Sequence, residues 1–305
     1  MQKGLFNNMA PLLQILLVVA IAVISMFVFT IIGFLILIPF YGVNEVMSAF
    51  TFGNTEIIRF LQITQSFALF VVPAVIAAYL FSTKPLHFLG FEKPNNTLII
   101  LSLILFFVCL PMISFLTHFN DSMVFPEFLK SLEYKMRVTE NRTNELIFNL
   151  LDTKQPFVIS VNLFMIVILP AFGEELFFRG TLQPLLCKLL KNNHIAVWLT
   201  AFIFAAIHLQ FFSFLPRFVL GVMLGYLLLY GKNIWYPIAG HFLNNFISLV
   251  VFYYYRYTQP DIDPFNSPAD EFGTLMIVGS FICVGVCFYI FHRLIKYRED
   301  ILIAH

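Results

Sequence analysis

The sequence predicts an all-α, polytopic integral membrane protein with about eight transmembrane helices. Hydrophobic residues make up 60% of the 305 and charged residues only 11%, a composition far from that of a soluble domain. The mean hydropathy is +0.86. Apolar windows also recur along the whole chain at the length of roughly 20 residues that a bilayer core of about 30 Å requires.

In chain order, the first window covers residues 10–41 and has Lys3 as the sole basic residue ahead of it. It is much longer than the apolar stretch of a signal peptide and reads as a retained helix. The second, 60–82, carries Gln62, Thr64 and Gln65; the third is 97–118. Glu127 to Leu151 then mixes charges with apolar residues at helical spacing, the pattern of an interfacial or extramembrane helix, with a solvated loop as the plainer alternative. The later windows are 156–178, which can run on to about Leu190, then 194–212, 214–231, 233–255 and 273–293. No internal repeat is visible. The chain divides into N-terminal membrane helices with an interfacial segment near 120–154 (residues 1–154), a polar-bearing core (155–255), and a C-terminal helix with its tail (256–305).

Basic residues near helix ends set the orientation, because Lys and Arg stay on the cytoplasmic side. Lys3, Lys84, Lys93, Lys188, Lys191, Lys232, Arg293, Lys296 and Arg298 fall on one side. The other side holds single arginines at Arg59, Arg217 and Arg256, with Glu45, Asp261, Asp263, Asp270 and Glu271 in the same loops. Both termini are therefore expected in the cytoplasm, with the plasma (inner) membrane as the location. Residues 120–155 hold basic and acidic residues in similar number and leave that orientation standing. The net charge of +1 carries no basic excess for nucleic acid. Cys109, Cys187, Cys283 and Cys287 form no CxxC pair and read as small packed or lipid-facing residues.

Intramembrane polarity concentrates in three windows. Glu174, Glu175 and Arg179 sit in GEELFFRG, and unpaired charges at the bilayer centre would cost roughly 8 to 10 kcal/mol for the three. Glu175 and Arg179 are four apart, acid first, the spacing of an ion pair on one helix face. Glu174 points about 100° away and is the residue that needs explaining. Burial raises the pKa of such a carboxyl towards neutrality, which suits a group that takes and returns a proton. Pro170 and Gly173 permit a local kink beside it.

FAAIH (Phe204 to His208) and HFLNN (His241 to Asn245) each place their end residues on one helix face. For either histidine alone, a packing role is nearly as good an explanation. Together the windows bring a carboxylate, two imidazoles and a carboxamide. Two chemistries fit. Glu174 and His208 can activate a water while His241 and Asn245 stabilise the oxyanion of a cleaved peptide bond. Alternatively, Glu and two His can hold zinc, which then activates the water. No HExxH helix is present, and spacing alone leaves zinc open. Counted from the cytoplasmic side, His208 lies about 21 Å along its helix and His241 about 12 Å along its own, so tilted or broken helices must bring them to one depth.

In order, EExxxR (Glu174, Glu175, Arg179), FxxxH (Phe204, His208) and HxxxN (His241, Asn245) resemble the CAAX protease and bacteriocin-processing family, which includes type II CAAX prenyl endopeptidases and the Abi intramembrane proteases. The resemblance covers roughly residues 155–255. It implies a helical membrane endopeptidase acting on membrane-associated proteins or peptides, with a glutamate-activated water and no required cofactor. By motif position it implies Glu174 as general base, His208 as its assistant, and His241 and Asn245 as the oxyanion site. Glu175, Arg179 and Phe204 are then site-structuring. Two other readings stand beside it: a non-catalytic immunity or scaffold protein that uses the same residues as a buried network, and a proton relay, for which repeat symmetry between the halves is missing.

Overall fold

The computed structural model describes residues 4–49, 54–259 and 272–304, with 298–304 by backbone alone. Lys3, Asp261, Asp263, Asp270 and Glu271, which bear on orientation, lie outside the described residues, as does the side chain of Arg298. Among the described residues every regular element is helical. The principal helices are α1 (Pro11–Tyr41), α2 (Thr55–Phe81), α3 (Asn96–Val108), α4 (Leu110–Asp121), α5 (Lys130–Leu151), α6 (Pro156–Leu190), α7 (Asn193–Ala206), α8 (Phe214–Gly231), α9 (Trp235–Thr258) and α10 (Thr274–Ala304).

This is an integral membrane protein, and among the described residues five helices, or six with a bent pair, have the length and hydropathy of a membrane span, against eight apolar windows in the sequence. Helices α1, α2, α6, α8 with the turn before it, and α10 are long and apolar enough to cross a bilayer. The pair α3 and α4, bent by 43°, makes a sixth if it counts as one span. The two remaining windows behave differently. Helix α7 has 14 residues, so it reaches about 21 Å and falls short of a bilayer core of about 30 Å. Helix α9 has 24 residues but interrupts its apolar run with His241, Asn244, Asn245 and Arg256.

The chain forms two compact units, Met1–Phe91 with Thr143–Lys191 and Glu92–Arg142 with Asn192–His305. Apolar side chains gain little by leaving lipid for each other, so membrane helices associate through small residues and hydrogen bonds. In the first unit, Ser25 Oγ on α1 donates to Ala68 O on α2 at 2.6 Å, and a Cβ on Gly33 would stand 3.3 Å from Leu61.

Arg59 belongs to this packing too, and not to a loop as its charge suggested. It is buried in α2, where its Nη2 donates to Leu150 O at 2.5 Å and its Nε to Asn162 Oδ1 at 3.0 Å. Asn162 Nδ2 donates to the same Leu150 carbonyl at 3.0 Å. A cation therefore closes the C-terminal end of α5, where the helix dipole is negative.

Three wide π-type turns interrupt the helices of this unit, at Phe67–Val71, Phe164–Ile168 and Phe178–Leu182. Each ends two residues before a proline, namely Pro73, Pro170 and Pro184. A proline ring collides with the carbonyl four residues back and donates no hydrogen bond to it. Widening the preceding turn moves that carbonyl away without breaking the helix.

In the second unit, α7 and α8 touch closely enough that a Cβ on Gly221 would stand 3.1 Å from Ala201 Cβ. Helix α9 rests on α3 through Gly240, where a Cβ would meet the Phe106 ring at 2.5 Å. Asn95 N–H donates to the Tyr236 hydroxyl at 3.1 Å between the same helices. At the bend before Pro111, Ser280 of α10 enters the gap: its hydroxyl accepts from Met112 N–H at 3.2 Å and donates to Val108 O at 2.6 Å. One serine thus replaces the intrahelical bond that the bend opens.

Candidate functional site

The acidic candidate residues lie in the first unit, on α6. Its nine-residue stretch Leu169–Phe177 is bounded by two of the wide turns, a feature that recurs at functional sites. Gly173 lets this stretch approach α2, since a Cβ there would stand 3.1 Å from Val71 and 3.4 Å from Phe70. Phe177 and Phe178 pack their rings on Phe70 at 5.9 and 6.0 Å. Arg179 Nη1 donates to Glu175 Oε1 at 2.8 Å, and both side chains are fully buried. Thr181 Oγ1 donates to Leu176 O at 3.0 Å across the second wide turn.

Glu174 differs from this pair. It keeps 9% exposure where Glu175 and Arg179 have none. The ion pair predicted from the four-residue spacing is formed and sealed, whereas Glu174 is buried slightly less completely. Burial of a paired charge is tolerable only with good geometry, and the 2.8 Å contact provides it.

The histidines and the carboxamide lie in the second unit. Helix α7 ends at Ala206, so His208 stands in the turn beyond it and not inside a continuous helix 194–212. The window method misses this end because the apolar run continues through it. His208 Nδ1 is 2.7 Å from Phe204 O. A carbonyl only accepts, so Nδ1 carries the hydrogen, and Nε2 presents its lone pair in the neutral ring. The same bond satisfies one of the terminal carbonyls of α7. Leu209 follows with φ +55, a left-handed conformation that is strained for leucine and ends the helical path.

Phe204 touches both imidazoles. Its ring centroid is 5.1 Å from that of His208 and 6.1 Å from that of His241, both edge-on. His241 is buried in α9, one residue after the glycine that seats the helix on Phe106. Asn245, one turn on, accepts from Asn244 Nδ2 through its Oδ1 at 3.2 Å, so the amide nitrogen is its donor end. Among the described residues no three His, Cys, Asp or Glu side chains form a group able to hold a metal ion.

Sequence reasoning missed the residues that hold the segment after His208. Glu140 of α5 is buried and accepts from Phe212 N–H at 3.0 Å and from the Ser213 hydroxyl. Asn120 donates to Phe211 O at 3.1 Å and accepts from Leu215 N–H at 2.6 Å. Arg137 lies over the Phe212 ring at 3.7 Å. No local pattern announces such contacts, which join residues 72 to 95 positions apart.

Comparison with known proteins bears on the stretch that contains all three motifs. Residues 156–247 match the family described as type II CAAX prenyl endopeptidase Rce1-like. The uncharacterized protein YpbD of Bacillus subtilis (strain 168) is 30% identical over 86 residues, which are 27% of this chain and 41% of that protein. The chain thus spans about two-fifths of the length of this curated relative. No solved structure matches the chain. Residues 156–247 are therefore similar to the Rce1-like family, the same group that the three ordered motifs resemble.

Proposed function

We propose that the chain is an intramembrane endopeptidase of the CAAX or bacteriocin-processing type, with residues 155–255 as its catalytic core. The observation that carries the reading is the fixed tautomer of His208: its Nδ1–H is bound to Phe204 O, which presents Nε2 as an acceptor. This is the form an assisting base requires. Glu174, the acid of GEELFFRG that keeps some exposure, takes a proton from water as the water oxygen bonds to the scissile carbonyl carbon. His208 assists that transfer. His241 and the Asn245 N–H2 donate to the oxyanion, and the proton held by Glu174 passes to the leaving amine as the C–N bond breaks. Glu175 and Arg179 hold α6 in place, and Phe204 packs against the two imidazoles. The substrate is a membrane-associated protein or peptide, and the enzyme works in the plasma (inner) membrane with both termini cytoplasmic.

The test uses purified protein in liposomes with two probes, a farnesylated CAAX peptide and its unprenylated twin, and identifies products by mass. Glu174→Gln should lower kcat by about 10² to 10⁴ while the melting temperature stays close to native. Undiminished cleavage by this variant would remove Glu174 from its role. Strong chelation should leave the rate unchanged; loss of activity restored by zinc would transfer the water activation to a metal. If the native protein cuts neither peptide faster than Glu174→Gln does, the reading fails for this substrate class.

A further inference from the structure

The chain between α7 and α8 bears His208 and has little structure of its own beyond a single 3-10 turn at Phe211–Ser213. Leu209 directs an 82% exposed side chain outward from a strained backbone. Such a segment would move freely unless tied from elsewhere. Its ties come from the other half of the same unit. Glu140, 6% exposed, receives two donors from consecutive residues, Phe212 N–H and the Ser213 hydroxyl. Asn120, 2% exposed, grips the backbone on both sides of them at Phe211 O and Leu215 N–H. Gln210 is held in turn by Arg217 Nη2 at 2.6 Å. A buried carboxylate is costly even when paired. Both of its oxygens serve this one turn.

We infer that Glu140 and Asn120 are positioning residues that lock residues 211–215 and thereby fix where His208 presents Nε2. The inference rests on the proposed role of His208 and deepens it. Both residues lie outside the Rce1-like stretch 156–247, so the segment that carries the motifs does not hold its own histidine. His208 is restrained from two directions: by its own bond to Phe204 O, and by a clamp beginning three residues downstream at Phe211.

Two readouts that need no catalysis test this, on the full chain in detergent: amide hydrogen exchange of residues 209–216, and the rate at which diethyl pyrocarbonate modifies His208. In Glu140→Ala, exchange at Phe212 and its neighbours should speed up about tenfold, and the His208 modification rate should change with it. On whichever peptide probe the native protein cuts, kcat should fall about tenfold with KM unchanged, as misplacement of a positioned group does. Glu140→Gln should recover all three, because its amide oxygen can accept from Phe212 N–H and its N–H2 can donate to the Ser213 hydroxyl. Glu145→Ala, an exposed site on the same helix, serves as the neutral control. Unchanged exchange in Glu140→Ala overturns the inference. So does loosened exchange with unaltered His208 modification. Where Glu140→Ala yields no folded protein, Asn120→Asp takes its place with the same outcomes; it keeps the acceptor for Leu215 N–H and loses the donor to Phe211 O. If the native protein cuts no probe, the protease reading fails, while exchange and His208 modification still decide the clamp.

Discussion

The acidic motif of the first unit and the histidine-bearing segment of the second are held by opposite means. On α6, Glu174 and its neighbours are placed by local chemistry: an ion pair at four-residue spacing, glycine at the contact with α2, and wide turns before Pro170 and Pro184. Beyond α7, His208 sits in a turn, and the backbone that follows it is gripped at Phe211 and Phe212 by Asn120 and Glu140 from far upstream. A helix specifies its own side-chain directions, whereas a turn borrows them from whatever packs against it.

The largest effect should come from breaking the locally held motif. Arg179→Met leaves Glu175 as an uncompensated, fully buried carboxylate and should cost about 3 to 5 kcal/mol, read by thermal unfolding of the purified protein. Glu175→Gln combined with Arg179→Met should recover most of that loss, since replacing both partners removes the orphan charge. In the second unit, Gly240→Ala brings a methyl against the buried Phe106 ring. It should destabilise by about 1 to 3 kcal/mol and move His241 with its helix; an unshifted melting temperature would mean that α9 is not seated there.

Acid sharpens the contrast further. Glu133 of α5 accepts from Phe125 N–H at 3.0 Å and from Arg137 and Lys130. Those partners, the backbone N–H first, hold its carboxyl below the usual carboxylate range against the opposing effect of burial. A depressed pKa gives stability that is full above the ordinary carboxylate value and is lost as pH falls through the lower folded value. Amide exchange at Phe125 should therefore rise only below the ordinary carboxylate value, and Glu133→Gln should abolish that pH dependence. The smallest change concerns Leu209. Replacing it with glycine relieves the left-handed backbone, worth about 1 kcal/mol against the added freedom of the unfolded chain, so the melting temperature should move little.

The same contrast explains what the sequence revealed. Membrane character and the pairing of Glu175 with Arg179 depend on composition and short spacings, which a linear reading captures. The end of α7 was hidden because Ile207 to Phe212 keep the window largely apolar while Leu209 turns the backbone. Arg59 was read as a loop charge because its partners, Leu150 and Asn162, are 91 and 103 residues away. Residues 120–151 read as mixed and amphipathic, and nothing local distinguishes Glu140, which braces a turn, from Glu145, which faces outward.

The wide turns of α6 also fix its phase. A π-type turn holds one residue more than an α-turn, so each acts as a one-residue insertion that rotates everything beyond it by about 100°. Leu169–Phe177 lies between two of them. Deleting a single residue from Phe164–Ile168 would re-aim Glu174 relative to the start of the helix, and deleting one from Phe178–Leu182 would re-aim it relative to the end. The heading of this carboxylate is therefore open to change by insertion or deletion at either turn, with no substitution of the acid itself.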